Sequence, residues 1–227
     1  MPAGALLVIE ASTASGSVAI VSDGRVLAHS PVAMGASRED ALFPAVQRLL
    51  SQCGLTPASL AGIVCGAGPG SFTSLRIAGS LSKGLAHGGD LALYAVSSLL
   101  LALANAGLAA SPGSYVVHGD ALRGERYALR ARVDSAGCVF ATGAVQRVLV
   151  TDLASYAEGS GLVAVASSLS PEHELVIVVP DASGVLAVGD WTGCGPLSLA
   201  DWEPAYGRLA EAQVVWEARH GHALPVA

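Results

Sequence analysis

Gly66-Ala67-Gly68-Pro69-Gly70-Ser71-Phe72-Thr73-Ser74-Leu75-Arg76 is the stretch that decides the fold. It joins a short apolar run, Ile63 to Cys65, to a pattern typical of a helix opened by a hydroxyl residue. A glycine-rich turn at this point presents free backbone N–H groups at the helix N-terminus, which suits a bound anion or a closely approaching backbone. The stretch therefore predicts a strand–turn–helix unit. Its turn is either a ligand-binding loop or a tight turn with no binding role.

Apolar patterns and turn residues predict the same order of elements in both halves of the chain. The Asp23-Gly24 pair between two strand patterns is typical of a two-residue hairpin. In the first half we predict strands at 6–10, 17–22, 25–30 and 62–65, and helices at 38–53 and 73–86. In the second half we predict strands at 115–119, 125–133, 138–148 and 162–166, and a short helix at 152–157.

Two βββαβα units imply a duplicated α/β fold, in which three antiparallel strands are followed by parallel ones. We place the domain boundaries at 1–107 and 108–227. Near the end of the chain, 174–179 is interpreted as a further strand and 185–191 as the remains of a helix.

The composition excludes several classes of protein. Only 13% of the 227 residues are charged and 52% are hydrophobic, so part of the apolar surface is expected to cover a partner. A net charge of −6 argues against a stand-alone nucleic-acid-binding protein, which is usually basic. The four cysteines show none of the paired spacings of zinc or redox sites and are expected to be reduced in a cytoplasmic protein.

Residues 91–118 contain no charge and could be mistaken for a membrane span. Ser97 and Ser98 are typical N-cap residues and Gly107 is a typical C-cap, so a short strand at 91–96 and a short helix at 98–106 are favoured. No basic region precedes the first apolar run, which predicts no signal peptide and a cytoplasmic protein.

The motif and several distant segments together resemble the TsaB (YeaZ) family of bacterial tRNA-modification proteins. The motif contains Gly-Pro-Gly-Ser-Phe-Thr-x-Leu-Arg, and Lys83-Gly84-Leu85-Ala86 follows it. The other matching segments are 7–13, 42–44, 96–99, 120–125 and 204–208. The first 130 residues match best. The sequence departs from the family at Glu10, Ser74 and Gly207, where aspartate, glycine and leucine are usual.

The resemblance implies the actin-like ATPase fold (ASKHA, ribonuclease H-like), whose active cleft lies between the two units. An acid after the first strand of each unit usually meets magnesium and phosphate there, and Glu10 and Asp120 occupy these positions. The turn at 11–15 has no glycine that would let its backbone approach a phosphate, so we expect no catalytic phosphate loop. Glu10 is interpreted as structural rather than catalytic, and both roles stay open for Asp120.

No metal site, cofactor or catalytic residue is predicted. The related catalytic subunit TsaD binds metal through a His-x-x-x-His pair on its first helix, where this chain reads Arg38-Glu39-Asp40-Ala41-Leu42. The six histidines form no helical i, i+4 pair, and no Ser-His-Asp or Cys-His set can be assembled from their spacing.

Both long helices are predicted to carry more apolar surface than one packing face requires. In the second helix the large residues Ile77, Leu81 and Leu85 are expected to face the sheet, and an adjacent stripe of small residues to meet another helix. The two helices could satisfy each other or form a bundle with a second protein, and the resemblance favours the bundle. The predicted partner interface comprises Leu42, Ala45, Leu49, Leu75, Ala78, Gly79, Ser82 and Ala86.

Further expectations concern local geometry, charge and the surroundings of a bound nucleotide. Pro44 is expected to bend the first helix, and Gly70 to need a positive φ. Arg130 and Arg132, on one face of a strand, are either solvated or in contact with tRNA phosphates. They belong to a basic cluster with Arg123 and Arg126. The residues expected near any bound nucleotide are Gly68, Pro69, Gly70, Ser71, Phe72, Thr73 and Arg76, with Glu10 and Asp120.

The resemblance implies a non-catalytic partner of TsaD in the complex that transfers a threonylcarbamoyl group to the adenosine beside the tRNA anticodon (t6A). TsaD would hold the metal and the threonylcarbamoyl-adenylate, this chain would position and stabilise TsaD, and a TsaE-type ATPase would bind the assembly. Contact with tRNA would be made through the complex, and formation of a homodimer by the isolated chain stays open. The alternative is an active enzyme of the same fold, a small kinase or an acyl-phosphate hydrolase that uses Glu10 and Asp120.

Overall fold

Two mixed β-sheets form the frame of the molecule. The computed structural model describes residues 2–34, 41–106, 111–166, 176–189, 191, 195–206 and 219–220. The first sheet has the order β3-β2-β1-β4-β5, with β1 to β3 antiparallel and β4 and β5 parallel to β1. Its strands are β1 (Leu6–Glu10), β2 (Ser15–Ser22), β3 (Arg25–Ala33), β4 (Gly62–Gly66) and β5 (Leu93–Val96).

The second sheet repeats this topology. Its order is β11-β10-β6-β7-β8, and β9 also pairs with β7. Its strands are β6 (Gly113–Asp120), β7 (Glu125–Val133), β8 (Val139–Ala141), β9 (Gln146–Leu149), β10 (Gly161–Val165) and β11 (Val176–Val178). In both sheets the first strand is central, with its antiparallel hairpin partner on one side and the parallel crossover strands on the other. The predicted duplicated actin-like fold is confirmed, although the single strand expected at 138–148 is divided into β8 and β9.

Within the described residues, four α-helices with defined bounds connect and cover the sheets. They are α1 (Leu42–Gln52), α2 (Phe72–Gly89), α3 (Ser98–Ala104) and α4 (Leu153–Tyr156). Short 3-10 turns occur at Pro57–Ser59, Val150–Asp152 and Ala182–Leu186. The C-cap predicted at Gly107 lies outside the described residues. Among the described helices, none has the length and apolar character needed to cross a membrane.

The hairpin between β2 and β3 forms as predicted. Asp23 and Gly24 have φ angles of 50° and 72°. Two consecutive left-handed residues are the requirement of a type I′ turn, whose twist matches that of the flanking strands.

The expectation that Pro44 bends α1 is wrong. The helix begins at Leu42, so Pro44 lies in its first turn. Backbone N–H groups in the first turn have no partner within the helix, and a proline there removes no hydrogen bond.

The main apolar core has two layers, one on each side of the first sheet, and a smaller third cluster packs between the second sheet and α4. Leu6 and Val8 of β1 face α3, whereas Leu7 and Ile9 face α1 and α2. Helix α3 packs between the two sheets, where residues from both sheets surround it. This position explains the uncharged stretch noted at 91–118, because a helix enclosed by core on all sides has no polar face.

The last long described segment, 195–206, returns to the first unit, and we call it the C-terminal segment. The Leu197 N–H donates to the Leu93 carbonyl at 2.8 Å, and the Ala205 N–H donates to the Ala67 carbonyl at 2.7 Å. The two predicted domains are therefore joined by this segment as well as by α3.

Candidate functional site in the cleft between the two units

A cleft of about 1660 Å³ opens between the two units. The first unit lines it with residues 12–15, after β1, and 69–73, in the motif loop. The second unit contributes the turn at 119–123. The structure therefore places the residues from Pro69 to Thr73 and Asp120 along the same cleft. Glu10, Gly68 and Arg76 do not line the cleft.

Glu10 is fully buried behind the cleft. Its Oε1 accepts a hydrogen bond from the Ser12 N–H at 2.6 Å, and its Oε2 accepts one from the Ser98 hydroxyl at 2.7 Å. A Cβ at Gly66 would overlap Oε2, so the glycine makes room for this side chain. Burial raises the pKa of Glu10, while the hydrogen bonds from Ser12 and Ser98 act against that rise. This environment agrees with a structural carboxylate.

Asp120, at the end of β6, is engaged within the second unit. Its Oδ1 accepts a hydrogen bond from Arg126 Nη1 at 2.6 Å and another from the Leu122 N–H at 3.0 Å. Both partners of the Asp120–Arg126 ion pair are mostly buried. The carboxylate is therefore neutralised by a fixed cation beside the cleft.

The turn after Asp120 has an unusual backbone. Leu122, Arg123 and Gly124 have φ angles of 61°, 53° and 77°. Left-handed residues other than glycine are uncommon, and no local sequence signal predicted them here. The turn exposes 59% of Leu122 and places Leu122 and Arg123 along the cleft.

The charges around the cleft mostly cancel. Arg147 Nη1 lies 3.6 Å from Glu125 Oε2, and Arg126 is paired with Asp120. Arg123 makes no ion pair within the part of the chain that the structure describes. In the same described ranges no group of three or more His, Cys, Asp or Glu residues could hold a metal ion. Among the described residues that line it, the cleft thus offers polar backbone and one cation outside an ion pair, Arg123, but no free pair of carboxylates.

The two motif glycines are needed for different reasons. Gly68 has a φ of 85°, whereas Gly70 is not in the left-handed region. The expectation of a positive φ at Gly70 is therefore wrong. A Cβ at Gly70 would overlap the Ser12 carbonyl oxygen, because the motif loop lies against the turn after β1. The Ser71 N–H donates to that carbonyl at 2.8 Å, which joins the two loops.

The C-terminal segment packs against the motif loop and helix α2. A Cβ at Gly68 would lie 2.7 Å from the Ala205 carbonyl oxygen, and one at Gly79 would lie 2.9 Å from Pro204 Cγ. The ring of Tyr206 lies 4.8 Å from that of Phe72. This role was not predicted from the sequence, although the apolar residues Leu197, Leu199 and Trp202 late in the chain were a signal for a packed segment.

The orientation expected for α2 is the reverse of the observed one. Its small residues face inward, towards the sheet and the C-terminal segment, whereas Ile77, Leu81 and Leu85 are only partly buried. Small side chains let the helix approach the strands closely. All eight predicted interface residues are covered by the chain itself: Leu42, Ala45, Leu49, Leu75, Ala78, Gly79, Ser82 and Ala86.

The outer surfaces of α1 and α2 keep an apolar character. Phe43 is 49% exposed, and Ile77, Leu81 and Leu85 are half-buried. Both helices pack on the same face of the first sheet. We call these four residues the outer helix surface.

His118, in the middle of β6, is almost fully buried. Burial lowers its pKa to about 4, and the nearby Arg126 cation contributes to that decrease. Its Nε2 has no hydrogen-bond partner among the described residues. The imidazole is therefore neutral at pH 7.

The fold and the cleft together define a protein of the actin-like class whose cleft acids are engaged in internal contacts. A family model described as TsaD, tRNA N6-adenosine threonylcarbamoyltransferase, matches residues 31–145, just over half of the chain. The chain belongs to this family, as a member of the TsaB (YeaZ) type.

Curated relatives are similar in sequence to this chain over part of their length. The chain is 35% identical over 100 residues to the tRNA threonylcarbamoyladenosine biosynthesis protein TsaB of Bacillus subtilis, covering 44% of each protein. It is also 35% identical over 95 residues to the protein of that name from Escherichia coli, covering 42% of this chain and 41% of the relative. The matched stretch thus spans less than half the length of these relatives.

Two solved structures from Pseudomonas aeruginosa share the fold. One, described as a protein with similarity to peptidase YeaZ, covers 90% of this chain and 100% of its own, with a TM-score of 0.75 and 22% identity. The other, YeaZ, covers 89% of this chain and 99% of its own, with a TM-score of 0.69 and 24% identity.

Proposed function

We propose that this chain is a non-catalytic subunit of the machinery that makes threonylcarbamoyladenosine in tRNA, and that it binds and supports a TsaD-like catalytic subunit. The names of its curated relatives, tRNA threonylcarbamoyladenosine biosynthesis protein TsaB, support the pathway. The family model, named after the transferase itself, supports a shared evolutionary origin with the catalytic subunit.

The observation that supports the non-catalytic role is that Glu10 and Asp120 are both engaged in contacts within the chain. Both oxygens of Glu10 accept hydrogen bonds inside the first unit, and Asp120 is paired with Arg126 at 2.6 Å. Divalent cations need carboxylate oxygens that are free to coordinate them. A cleft with its acids engaged in this way is suited to structure rather than to phosphoryl chemistry, so the chain acts without a cofactor of its own.

The outer helix surface is the proposed contact with the TsaD-like subunit. Phe43 is exposed on α1, and the three half-buried residues of α2 add apolar area on the same face of the first sheet. Apolar side chains that reach the surface in this way are typical of a protein interface. The buried small residues beneath them hold α2 close to the sheet and act as the foundation of this surface. A TsaE-type ATPase and the tRNA would join through the assembled complex, and the same surface would serve a homodimer of the isolated chain.

One substitution pair tests the contact. Phe43→Arg places a charge in the outer helix surface and is expected to weaken binding of the TsaD-like subunit at least tenfold. Leu27→Arg is the matched control, because Leu27 is 51% exposed on β3 and lies outside that surface. Pull-down affinity and melting temperature are measured for both. Equal affinity of the Phe43 variant and the wild type would contradict the proposed interface.

An ATP turnover assay tests the non-catalytic role. The pure chain is expected to show no magnesium-dependent hydrolysis of ATP above background. Turnover that disappears in an Asp120→Asn variant of unchanged melting temperature would favour the small-kinase or hydrolase alternative.

A further inference from the structure

One face of β7 presents arginines to solvent. Alternation along the strand sends Tyr127, Leu129 and their same-face neighbours into the core between the sheets. Arg130 and Arg132 point to the opposite side and are exposed. The short helix α4 covers only part of that side, where Leu153 packs near β6 and β7.

Each of these two arginines is held against an aromatic ring. The Arg130 Cζ lies 4.4 Å from the centre of the Tyr156 ring, and the Arg132 Cζ lies 4.4 Å from that of Phe140. Arg130 also donates a hydrogen bond from Nη2 to the Tyr156 carbonyl oxygen. These contacts order both guanidinium groups before any ligand binds, which lowers the entropy lost on binding. We call Arg130, Arg132, Phe140 and Tyr156 the arginine face.

The guanidinium groups of Arg130 and Arg132 are available to a ligand. Neither makes an ion pair with any described residue, in contrast to Arg126 and Arg147. The nearby Asp134 uses its Oδ1 to accept hydrogen bonds from the backbone N–H groups of Ala136 and Cys138, so it is committed to the turn before β8. An acidic chain with net charge −6 thus carries a local site for anions.

The geometry favours a particular polyanion. Residues two apart in a strand are separated by about 6.8 Å, so the arginine face presents two guanidinium groups side by side on a sheet. One side of each guanidinium plane rests on a ring, while the exposed side can stack on a base and the N–H edges can donate to phosphates. Bases are open to such stacking in single strands and loops, but not in a duplex.

We propose that the arginine face binds a single-stranded or looped RNA segment, with bases stacked on the Arg130 and Arg132 planes and phosphates at their edges. The choice of RNA among polyanions rests on the proposed function, since a subunit of a tRNA-modifying complex lies next to tRNA. This surface is separate from the outer helix surface, which belongs to the first unit.

The test measures binding of an unmodified tRNA anticodon stem-loop transcript to the full chain, alone and with a TsaD-like subunit. Arg130→Gln/Arg132→Gln is expected to weaken binding at least tenfold. The slope of log affinity against log salt should fall by about 1.4, because each lost single-strand phosphate contact removes about 0.7. A blunt-ended RNA duplex of equal length should bind more weakly than the stem-loop to the wild type.

Two further variants separate charge from stacking. Arg25→Gln/Arg48→Gln removes the same charge at two exposed arginines that make no ion pair among the described residues, and it should bind as the wild type does. Arg130→Lys/Arg132→Lys keeps the charge but removes the planar guanidinium groups on which bases would stack. Affinity should therefore fall severalfold, while the slope of log affinity against log salt is retained. Should loss of the Tyr156 contacts unfold the Arg130 variants, Arg132→Gln and Arg132→Lys carry the same comparison.

Three results would overturn the proposal: unchanged affinity in the double Gln variant, an equal loss in the Arg25/Arg48 control, or full affinity in the double Lys variant. Binding of the TsaD-like subunit without RNA is measured in parallel and should be the same for all variants. A wild-type chain that does not bind that subunit would contradict the proposed function, while the RNA comparison among variants would stand on its own.

Discussion

Glu10 joins three parts of the first unit through one carboxylate: the end of β1, the turn at Ser12 and the start of α3 at Ser98. Glu10→Ala would leave the Ser12 N–H and the Ser98 hydroxyl without this acceptor and open a cavity beside Gly66. We expect a loss of about 2–4 kcal/mol in the free energy of unfolding, measured by urea denaturation at pH 7. Wild-type stability in this variant would contradict the structural role of the carboxylate.

Glu10→Gln is the matched control, because it keeps the volume and removes the charge. Since burial raises the pKa of Glu10, the folded state binds its proton more tightly than the unfolded state. The stabilisation that protonated Glu10 gives to the folded wild type is complete below its ordinary pKa of 4.5. It is lost as the pH rises towards the pKa that Glu10 has in the folded state. The Gln variant should therefore gain stability relative to the wild type as pH rises from 4.5.

His118 should have the opposite pH dependence. Its pKa is lowered from 6.5 to about 4 in the folded state, mainly by burial, so the unfolded state binds more protons between these values. Stability from this group is complete above pH 6.5 and is lost as pH falls towards 4. Relative to His118→Gln, the wild type should lose at most about 3 kcal/mol over this range, followed by denaturation at several pH values. Parallel pH profiles for the two proteins would contradict a neutral, buried imidazole.

At the scale of elements, the contact between α2 and the C-terminal segment depends on a glycine. A side chain at Gly79 would meet Pro204, whereas a Cβ at Gly84 of the same helix would meet nothing within 4 Å. Gly79→Arg should displace the C-terminal segment, lower the melting temperature and speed proteolysis within 195–206. Gly84→Ala should raise stability by about 0.5–1 kcal/mol through helix propensity, which makes it the control. Normal protection of the segment in Gly79→Arg would show that Pro204 is not held there.

At the scale of the whole molecule, the 3-10 turn Ala182–Leu186 links the second unit to the first sheet. The Ala182 N–H donates to the Ser17 hydroxyl at 2.8 Å, and Asp181 Oδ2 lies 2.8 Å from His29 Nε2. Burial acts to raise the pKa of Asp181, but hydrogen bonds from Ser183 and His29 outweigh it and hold that pKa below the ordinary value of 3.8. Asp181 therefore stabilises the junction of the two units when it is ionised.

Asp181→Ala should lower the free energy of unfolding by about 1–2 kcal/mol at pH 7, because it removes the cap of the 3-10 turn and the bond to His29. Since the folded pKa is depressed, this stabilisation is present above pH 3.8 and is lost as pH falls further. Glu158→Ala, at an exposed position, removes the same charge and should change stability little. Equal effects of the two changes on denaturation would show that the link between the units carries no stability.

Local chemistry in the sequence was sufficient to predict most of the strands and helices in their order. It did not predict the division of 138–148 into β8 and β9, and the helix expected at 185–191 is instead a 3-10 turn at Ala182–Leu186. The Asp23-Gly24 pair predicted a hairpin because the turn depends on two residues, and the repeated βββαβα order predicted two sheets of one topology. The strand–glycine–helix motif was recognisable for the same reason. The approach of Asp120 to the motif loop was implied by the resemblance to the actin-like fold, whose cleft lies between the two units, and not by local chemistry.

The sequence by itself therefore determined the elements, their order and the two-unit fold, because turns and periodicity act over a few residues. Only the tertiary structure decided which stripe of α2 faces inward, since both stripes are apolar and close approach to the sheet selects the small one. It alone showed that Gly70 is required by the Ser12 backbone, and that Glu10 is enclosed through Ser98. These roles depend on contacts between segments far apart in the chain, which no local pattern records.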